Sequence, residues 1–280
     1  MAESPLTQPI TFAVATHGSG EILKSNFLNS PALKDNGRHE ILIQKDFASA
    51  SAAYNDAICR SSHDLIAFVH QDVILPRNWL LEVNSALDCL QIFDPKWGVV
   101  GCYGRNADGQ GCGHVYAANQ GLIGGSFARP ARVQTLDEIV LIIRKSSGLA
   151  FDIRLPHFHM YGADLCLMAA KQAMASYAIS AFCIHNTNQY LVFPREFYEC
   201  CAYIKRKWRS ILPILTPCIT ITAHGLPLYK RRLREMRFKM QGKTFIATRQ
   251  EDVHRLIAEA DLSRNSDRRA TNLPMTSVAG

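Results

Sequence analysis

Apolar runs punctuate the first two thirds of the chain. Residues 11–16 (TFAVAT), 39–44 (HEILIQ), 64–70 (DLIAFVH), 97–102 (WGVVGC), 138–144 (EIVLIIR) and 177–184 (YAISAFCI) are rich in Val, Ile and Phe and end in polar residues or glycine. Most are near-continuous rather than alternating, which predicts strands buried on both faces, as in a parallel sheet covered by helices. Helical periodicity fills the gaps. Residues 49–61 open on serines suited to capping. Residues 76–93 open on Pro76 and place Trp79, Leu80, Val83, Leu87 and Leu90 on one face. Residues 161–176 are rich in Ala, Leu and Met. Strand–helix alternation predicts an α/β fold with a mostly parallel central sheet flanked by helices. Residues 200–262 read as a basic, amphipathic helical appendage. The polar stretch 263–280 reads as a disordered tail.

Glycine interrupts this pattern once. Residues 101–125 hold eight of the chain's 17 glycines. Few of these fit inside regular elements without cost. The segment is expected to be an irregular or mobile loop region, with a β-hairpin around HVYAANQGLIGGSFA, and residues 103–128 are a candidate lid over a ligand.

Composition adds limits. A chain of 280 residues with 48% hydrophobic content can bury a sizeable core. It has no apolar run long enough for a transmembrane helix, and MAESPLTQPITF lacks the form of a secretory signal. Nine cysteines without a CxxC pair are expected to be reduced thiols of a cytoplasmic protein. The net charge of +7 is uneven. Between Lys205 and Lys243 the only acid is Glu235, against a run of lysines and arginines, so this stretch invites an anionic partner.

Three polar features fall at expected strand ends or at a helix start, where open α/β sheets bind ligands. His70 and Asp72 follow the run 64–70, and alternate residues there point to one side. A shared cation or diphosphate is one reading; a turn-capping Asp72 and a core His70 is the other. His157, His159, Tyr161 and Asp164 gather where a helix begins. Asp164 there is either a general base or a carboxylate complementing the helix dipole. His185 ends a further strand, as a ligand or as a structural histidine.

The order is more specific than the parts: HxD after a strand, an Asp in a helix first turn about 90 residues on, and a strand-end His about 20 residues later. With SASAAYNDAI (49–58), DLIAFVHQDVILPRNWL (64–80), LDEIVLIIRK (136–145), FDIRLPHFHMYGADLCLMAA (151–170) and IHNT (184–187), the sequence resembles GT-A type nucleotide-sugar glycosyltransferases of the broad family-two group. The nearest likeness is to a bacterial branch with an HQD motif, described only as glycosyltransferase-like. The resemblance covers residues 9–190, and a catalytic domain is expected over 9–199.

The resemblance implies a GT-A fold and a set of roles. Asp72 matches the last Asp of a DxD-type motif that binds a divalent metal, Mn²⁺ or Mg²⁺, bridging the donor diphosphate. His70 replaces the first Asp, and His185 matches a late metal-ligating histidine. Imidazole ligands tilt the preference toward Mn²⁺. Asp164 matches the base that deprotonates the acceptor hydroxyl in inverting enzymes, although Ala163 stands where many relatives carry Glu. Ala15, Thr16, His17, Gln44, Asn55 and Gln71 are the implied nucleotide contacts. Asp137, His159 and Tyr161 are the implied contacts to donor or acceptor sugar, with Glu138 in place of the usual small residue.

The expected activity is therefore metal-dependent, inverting transfer of a sugar from a nucleotide-diphosphate donor to a glycan, lipid-linked or protein acceptor, in cell-surface glycan synthesis. Two other readings stand beside it. One is a nucleotide-sugar-binding protein with weak catalysis on the same scaffold. The other is a basic protein that binds nucleic acid or a membrane surface. No nucleic-acid motif accompanies the basic stretch, so nucleic acid is not the expected partner. Peripheral contact with anionic lipid at the inner membrane face fits it better.

Overall fold

The computed structural model describes residues 8–34, 38–118, 120–186, 191–243, 252 and 254–258. The expected tail 263–280, and part of the expected helical stretch before it, lie outside these residues. In chain order the strands are β1 (Ile10–Thr16), β2 (Glu40–Lys45), β3 (Leu65–Val69), β4 (Val73–Ile74), β5 (Val99–Gly101), β6 (Tyr103–Arg105), β7 (Gly111–Ala117), β8 (Gly121–Gly124), β9 (Ala131–Val133), β10 (Thr135–Leu136), β11 (Val140–Arg144), β12 (Ser176–Ala178), β13 (Cys183–His185), β14 (Ile214–Leu215) and β15 (Thr220–Ile221). The helices are α1 (Glu21–Ser25), α2 (Ala50–Arg60), α3 (Trp79–Phe93), α4 (Tyr161–Lys171), α5 (Arg195–Lys207) and α6 (Leu226–Met240).

The larger sheet has the order β2-β1-β3-β11-β5-β12-β9. Five of these strands run one way; β11 and β9 oppose them. Both faces are covered, which accounts for the unbroken apolar runs. Ile66 and Phe68 of β3 join a core with Tyr54 of α2, Leu165 of α4 and Phe197 of α5. Leu65, Ala67 and Val69 point the other way, into a core with Trp79, Val83 and Leu90 of α3. All five β3 residues are buried. Ser49 caps α2, its hydroxyl accepting from Ala52 N at 3.2 Å, a contact worth about 1 kcal/mol.

A second sheet, β10-β6-β7-β13-β4 with β8 added on β7, stands beside the first. The glycine-rich segment builds much of it, where an irregular loop was expected; the hairpin expected there is β7–β8. The glycines serve close packing. A Cβ on Gly113 would strike Cys102 O, and one on Gly124 would strike Gly113 O, both at positive φ. The run 177–184 is two strands, β12 in the first sheet and β13 in the second.

The boundary expected at 199/200 falls inside α5, and Phe197, Cys200, Cys201 and Ile204 of that helix belong to the main core. The C-terminal region therefore starts as part of the main body. It continues through the small β14–β15 pair to α6, which packs against β15. All nine cysteines are free thiols. Among the described residues no helix is long and apolar enough to cross a membrane.

Candidate metal centre and cleft

One passage of the chain from the first sheet to the second, from β3 to β4, builds the site. β3 ends at Val69, His70 follows, and the chain turns through Gln71 and Asp72, with Val73 N donating to His70 O at 3.2 Å. It then enters β4, which pairs antiparallel with β13 so that His185 sits opposite Val73. Asn186 N donates to Asp72 O at 2.9 Å, closing this corner. Strand register thus brings together residues more than a hundred positions apart.

His185 Nε2 lies 3.3 Å from Asp72 Oδ1, and His70 Nδ1 lies 4.0 Å from the same oxygen. One ligand atom from each of the three residues lies within 4.8 Å of the others. Atoms bound to a single ion at about 2.0–2.3 Å sit at most about 4.6 Å apart, so the two contacts to Asp72 fit one cation. The donor set also fits: two imidazoles and a carboxylate suit Mn²⁺ or a similar divalent metal and leave positions for further oxygen ligands.

The His70 ring is held from behind. Its Nε2 meets Tyr161 Oη at 2.8 Å, which leaves Nδ1 facing Asp72. Such partners orient a ligating ring. Burial is the largest influence on both histidines and opposes their charged forms. For His185 the Asp72 carboxylate outweighs it and raises the imidazole pKa. For His70, burial together with the charge of His185 prevails over Asp72 and lowers it. Tyr161 starts α4 after a tight corner in which His157 and Met160 both hold positive φ, an uncommon conformation outside glycine. The corner is tied down by His157 O accepting from Ala50 N at 2.9 Å and by the His157–Glu199 contact at 2.8 Å.

This centre opens on a cleft of about 850 Å³. Ala15, His17 and Gln71 line it at the ends of β1 and β3; Asp137, His159 and Tyr161 line it beside the histidines. These are residues that sequence reasoning placed at the site. Thr16 is buried behind it, with Oγ1 donating to Gln71 Oε1 at 2.7 Å, so it positions Gln71 and does not face the cleft. Burial presses the His159 imidazole down to about 4, so it is neutral near pH 7.

Three expected contacts lie elsewhere. Asp164 is 2% exposed and does not line the cleft. Its carboxylate accepts from Lys207 Nζ at 2.8 Å and Trp208 Nε1 at 2.7 Å, so it fastens α5 to α4 where a general base was expected. Asn55 does not face the cleft either: its amide clamps the Phe151 backbone, donating to the carbonyl and accepting from N–H, each at 2.9 Å. Gln44 is 1% exposed under α2, and its amide is not on the cleft wall.

Other residues take their place. Glu138 lines the cleft, and its carboxylate accepts from Gly162 N at the start of α4, at 3.3 Å. Burial, then the neighbouring Asp137 charge, push its pKa up to about 8. Helix α6 contributes Arg231, Arg234 and Phe238 to the same cleft. Arg231 is fixed by Glu235 at 2.7 Å and lies over the Phe193 ring. A helical reading of the basic stretch, with 231, 234 and 238 on one face, was the available signal for them.

No protein-family model matches the chain. A curated relative, "ATP synthase subunits region ORF 6" of Fuscovulum blasticum, is 29% identical over 163 residues, covering 55% of this chain and 64% of that protein. Similar solved structures include the mannosyltransferase PcManGT from Pyrobaculum calidifontis in complex with GDP-Man and Mn²⁺, at 12% identity, 71% of this chain, 60% of that chain and a TM-score of 0.44. Another is TarS of S. aureus, at 15% identity, 71% of this chain, 39% of that chain and a TM-score of 0.48. A third is GalNAc-T7 with UDP, GalNAc and Mn²⁺, at 9% identity, 65% of this chain, 44% of that chain and a TM-score of 0.46. The chain spans less than two thirds of the length of each of these relatives.

Proposed function

We propose that the chain is a metal-dependent GT-A glycosyltransferase that moves a sugar from a nucleotide-diphosphate donor to an acceptor hydroxyl. One observation carries this reading: His70, Asp72 and His185 converge at the strand ends, on the wall of a cleft large enough for a sugar nucleotide. Three protein ligands suit an ion that must also take diphosphate oxygens. A divalent metal held there would neutralise charge developing on the leaving diphosphate.

The chain's own groups supply the rest. Tyr161 holds His70 in its ligating orientation. Thr16 fixes Gln71, and Gln71 with His17 forms the β1 side of the cleft, where the nucleotide rests. Arg231 and Arg234 of α6 are on the cleft lining, as cations that would meet the diphosphate. Inverting transfer needs a base on the acceptor side. With Asp164 committed to Lys207 and Trp208, Glu138 takes that role, its ionised form, which grows as pH rises toward about 8, receiving the acceptor proton in the cleft, and Asp137 contacts the sugar.

Turnover of a panel of sugar nucleotides, with Mn²⁺, Mg²⁺ or EDTA, tests the proposal. Donor-dependent transfer that EDTA and Asp72→Ala both abolish is the expected result. A metal-independent activity surviving Asp72→Ala would end it. The withdrawal of Asp164 from the cleft favours a second reading, a protein that binds a sugar nucleotide without turnover. Metal-dependent thermal stabilisation by a donor that is never consumed would select that reading.

A further inference from the structure

Helix α6 has two unlike faces. Leu228, Arg231, Glu235 and Phe238 turn inward. Leu226, Tyr229, Leu233, Met236 and Met240 are exposed, Met240 at 88%. Their spacing of three and four residues lays them in one stripe along the outside of the helix. By the same periodicity Lys230 and Arg237 border the stripe on one side, and Arg232 and Lys239 on the other. The only acid of the helix, Glu235, is buried against Arg231 and Phe193 N, so it cancels none of this outer charge.

We infer that α6 is an interfacial helix that docks the protein on an anionic lipid bilayer. A single exposed hydrophobe is ordinary; five in line are an interaction surface. An apolar stripe between two basic borders matches a bilayer interface, with side chains entering the acyl boundary and cations meeting lipid phosphates. A second copy of the chain fits poorly, because pairing two such helices along the stripe sets basic borders against basic borders. Nucleic acid would use the cations and leave the stripe in water. Arg231, Arg234 and Phe238 belong to the same helix and line the cleft, so docking sets the cleft close to the lipid headgroups. The inference stands on α6 alone and does not depend on the cleft's chemistry.

The test is co-sedimentation of the full 280-residue chain with vesicles of phosphatidylcholine, alone or mixed with phosphatidylglycerol. The expected result is binding to the mixed vesicles only, weakening as salt rises. Leu233→Glu with Met236→Glu should abolish binding with an unchanged unfolding midpoint, since both side chains are exposed. Lys230→Gln and Arg237→Gln should each weaken partition by about fivefold. No binding to the mixed vesicles at low salt overturns the inference, as does binding that the Leu233/Met236 pair leaves undiminished. A dimer in sedimentation velocity that this same pair dissolves would assign the stripe to a second copy and overturn it too.

Discussion

Two carboxylate clusters in this molecule invite comparison. One is His70–Asp72–His185 with Asp137 and Glu138 nearby. The other is Asp152–Asp164 with Lys207, Arg154, Tyr203 and Trp208. The second is closed. Lys207 Nζ reaches both carboxylates at 2.8 Å, Tyr203 Oη donates to Asp152 at 2.6 Å, and Trp208 Nε1 completes Asp164. Each acid has donors of its own, and the cluster bolts α5 to the body. The first is open. Its carboxylates line a cleft, with the His70 and His185 rings beside Asp72, and among the described residues lining that cleft no lysine bridges the acids as Lys207 does in the other cluster. Each cluster holds an acid that is a candidate in the sequence, Asp72 in the first and Asp164 in the second. The separation between scaffold and site lies in whether the acids are sealed around a lysine inside the body or turned toward a cleft.

On that contrast, damage to the open cluster should remove activity and spare the fold, while damage to the closed one should do the reverse. Asp72→Ala is the largest expected effect: loss of transfer by about a thousandfold or more, with no metal-dependent stabilisation by nucleotide in a thermal-shift titration. Next, Glu138→Gln should lower kcat by about 10²–10⁴-fold while KM for the donor changes little, read by steady-state kinetics. In the closed cluster, Lys207→Met leaves two carboxylates without their shared cation. It should cost about 3–5 kcal/mol in denaturant unfolding, with the activity of the folded fraction retained. Asp164→Asn keeps an oxygen for only one of the two donors, on Lys207 and Trp208, and turns an NH2 toward the other, so it should cost about 1–3 kcal/mol. A collapse of kcat in Asp164→Asn with stability intact would erase the distinction between the clusters.

The smallest effect concerns acid. Burial of Asp152 works against its charge, but hydrogen bonds from Arg154, Lys207 and Tyr203 prevail and hold its carboxyl below the ordinary 3.8. A carboxyl lowered in the folded state contributes stability that is complete above the unfolded value and fades as pH falls toward the folded one. Asp152→Asn should therefore flatten the unfolding free energy against pH below about 4, measured by denaturant titration at a series of pH values.

The sheet and its flanking helices were legible because burial on both faces leaves an unambiguous run of apolar residues, as in β3 and β11. The His70–Asp72 pair was legible for the same reason: polarity begins where such a run stops. The second sheet was not, because glycine counts as an interruption in a sequence, whereas here its missing side chain lets β6, β7 and β8 approach. Nor was the split of residues 177–184 visible. Ile179 N still bonds Gly101 O of the first sheet, and Phe182 N turns to Glu82 of α3; nothing in an apolar run marks that transfer. Asp164 was misread because a first-turn carboxylate looks the same whether it meets solvent or a lysine from a helix 40 residues on. The basic stretch that holds Arg231 and Arg234 was read only as inviting an anionic partner, with no face assigned, for a related reason. Which side of a basic helix faces inward is set by what it packs on, here Phe193 and the cleft wall.

The corner between the two sheets has a mechanical meaning. His70 belongs to the end of the first sheet, while Asp72 and His185 flank the β4–β13 pairing of the second. A cation gripping all three would be a rivet through two plates. Its affinity would then gauge how well the plates are seated, and a change far from the cleft that let one sheet slide by a fraction of an ångström would register first as a weaker grip on the ion.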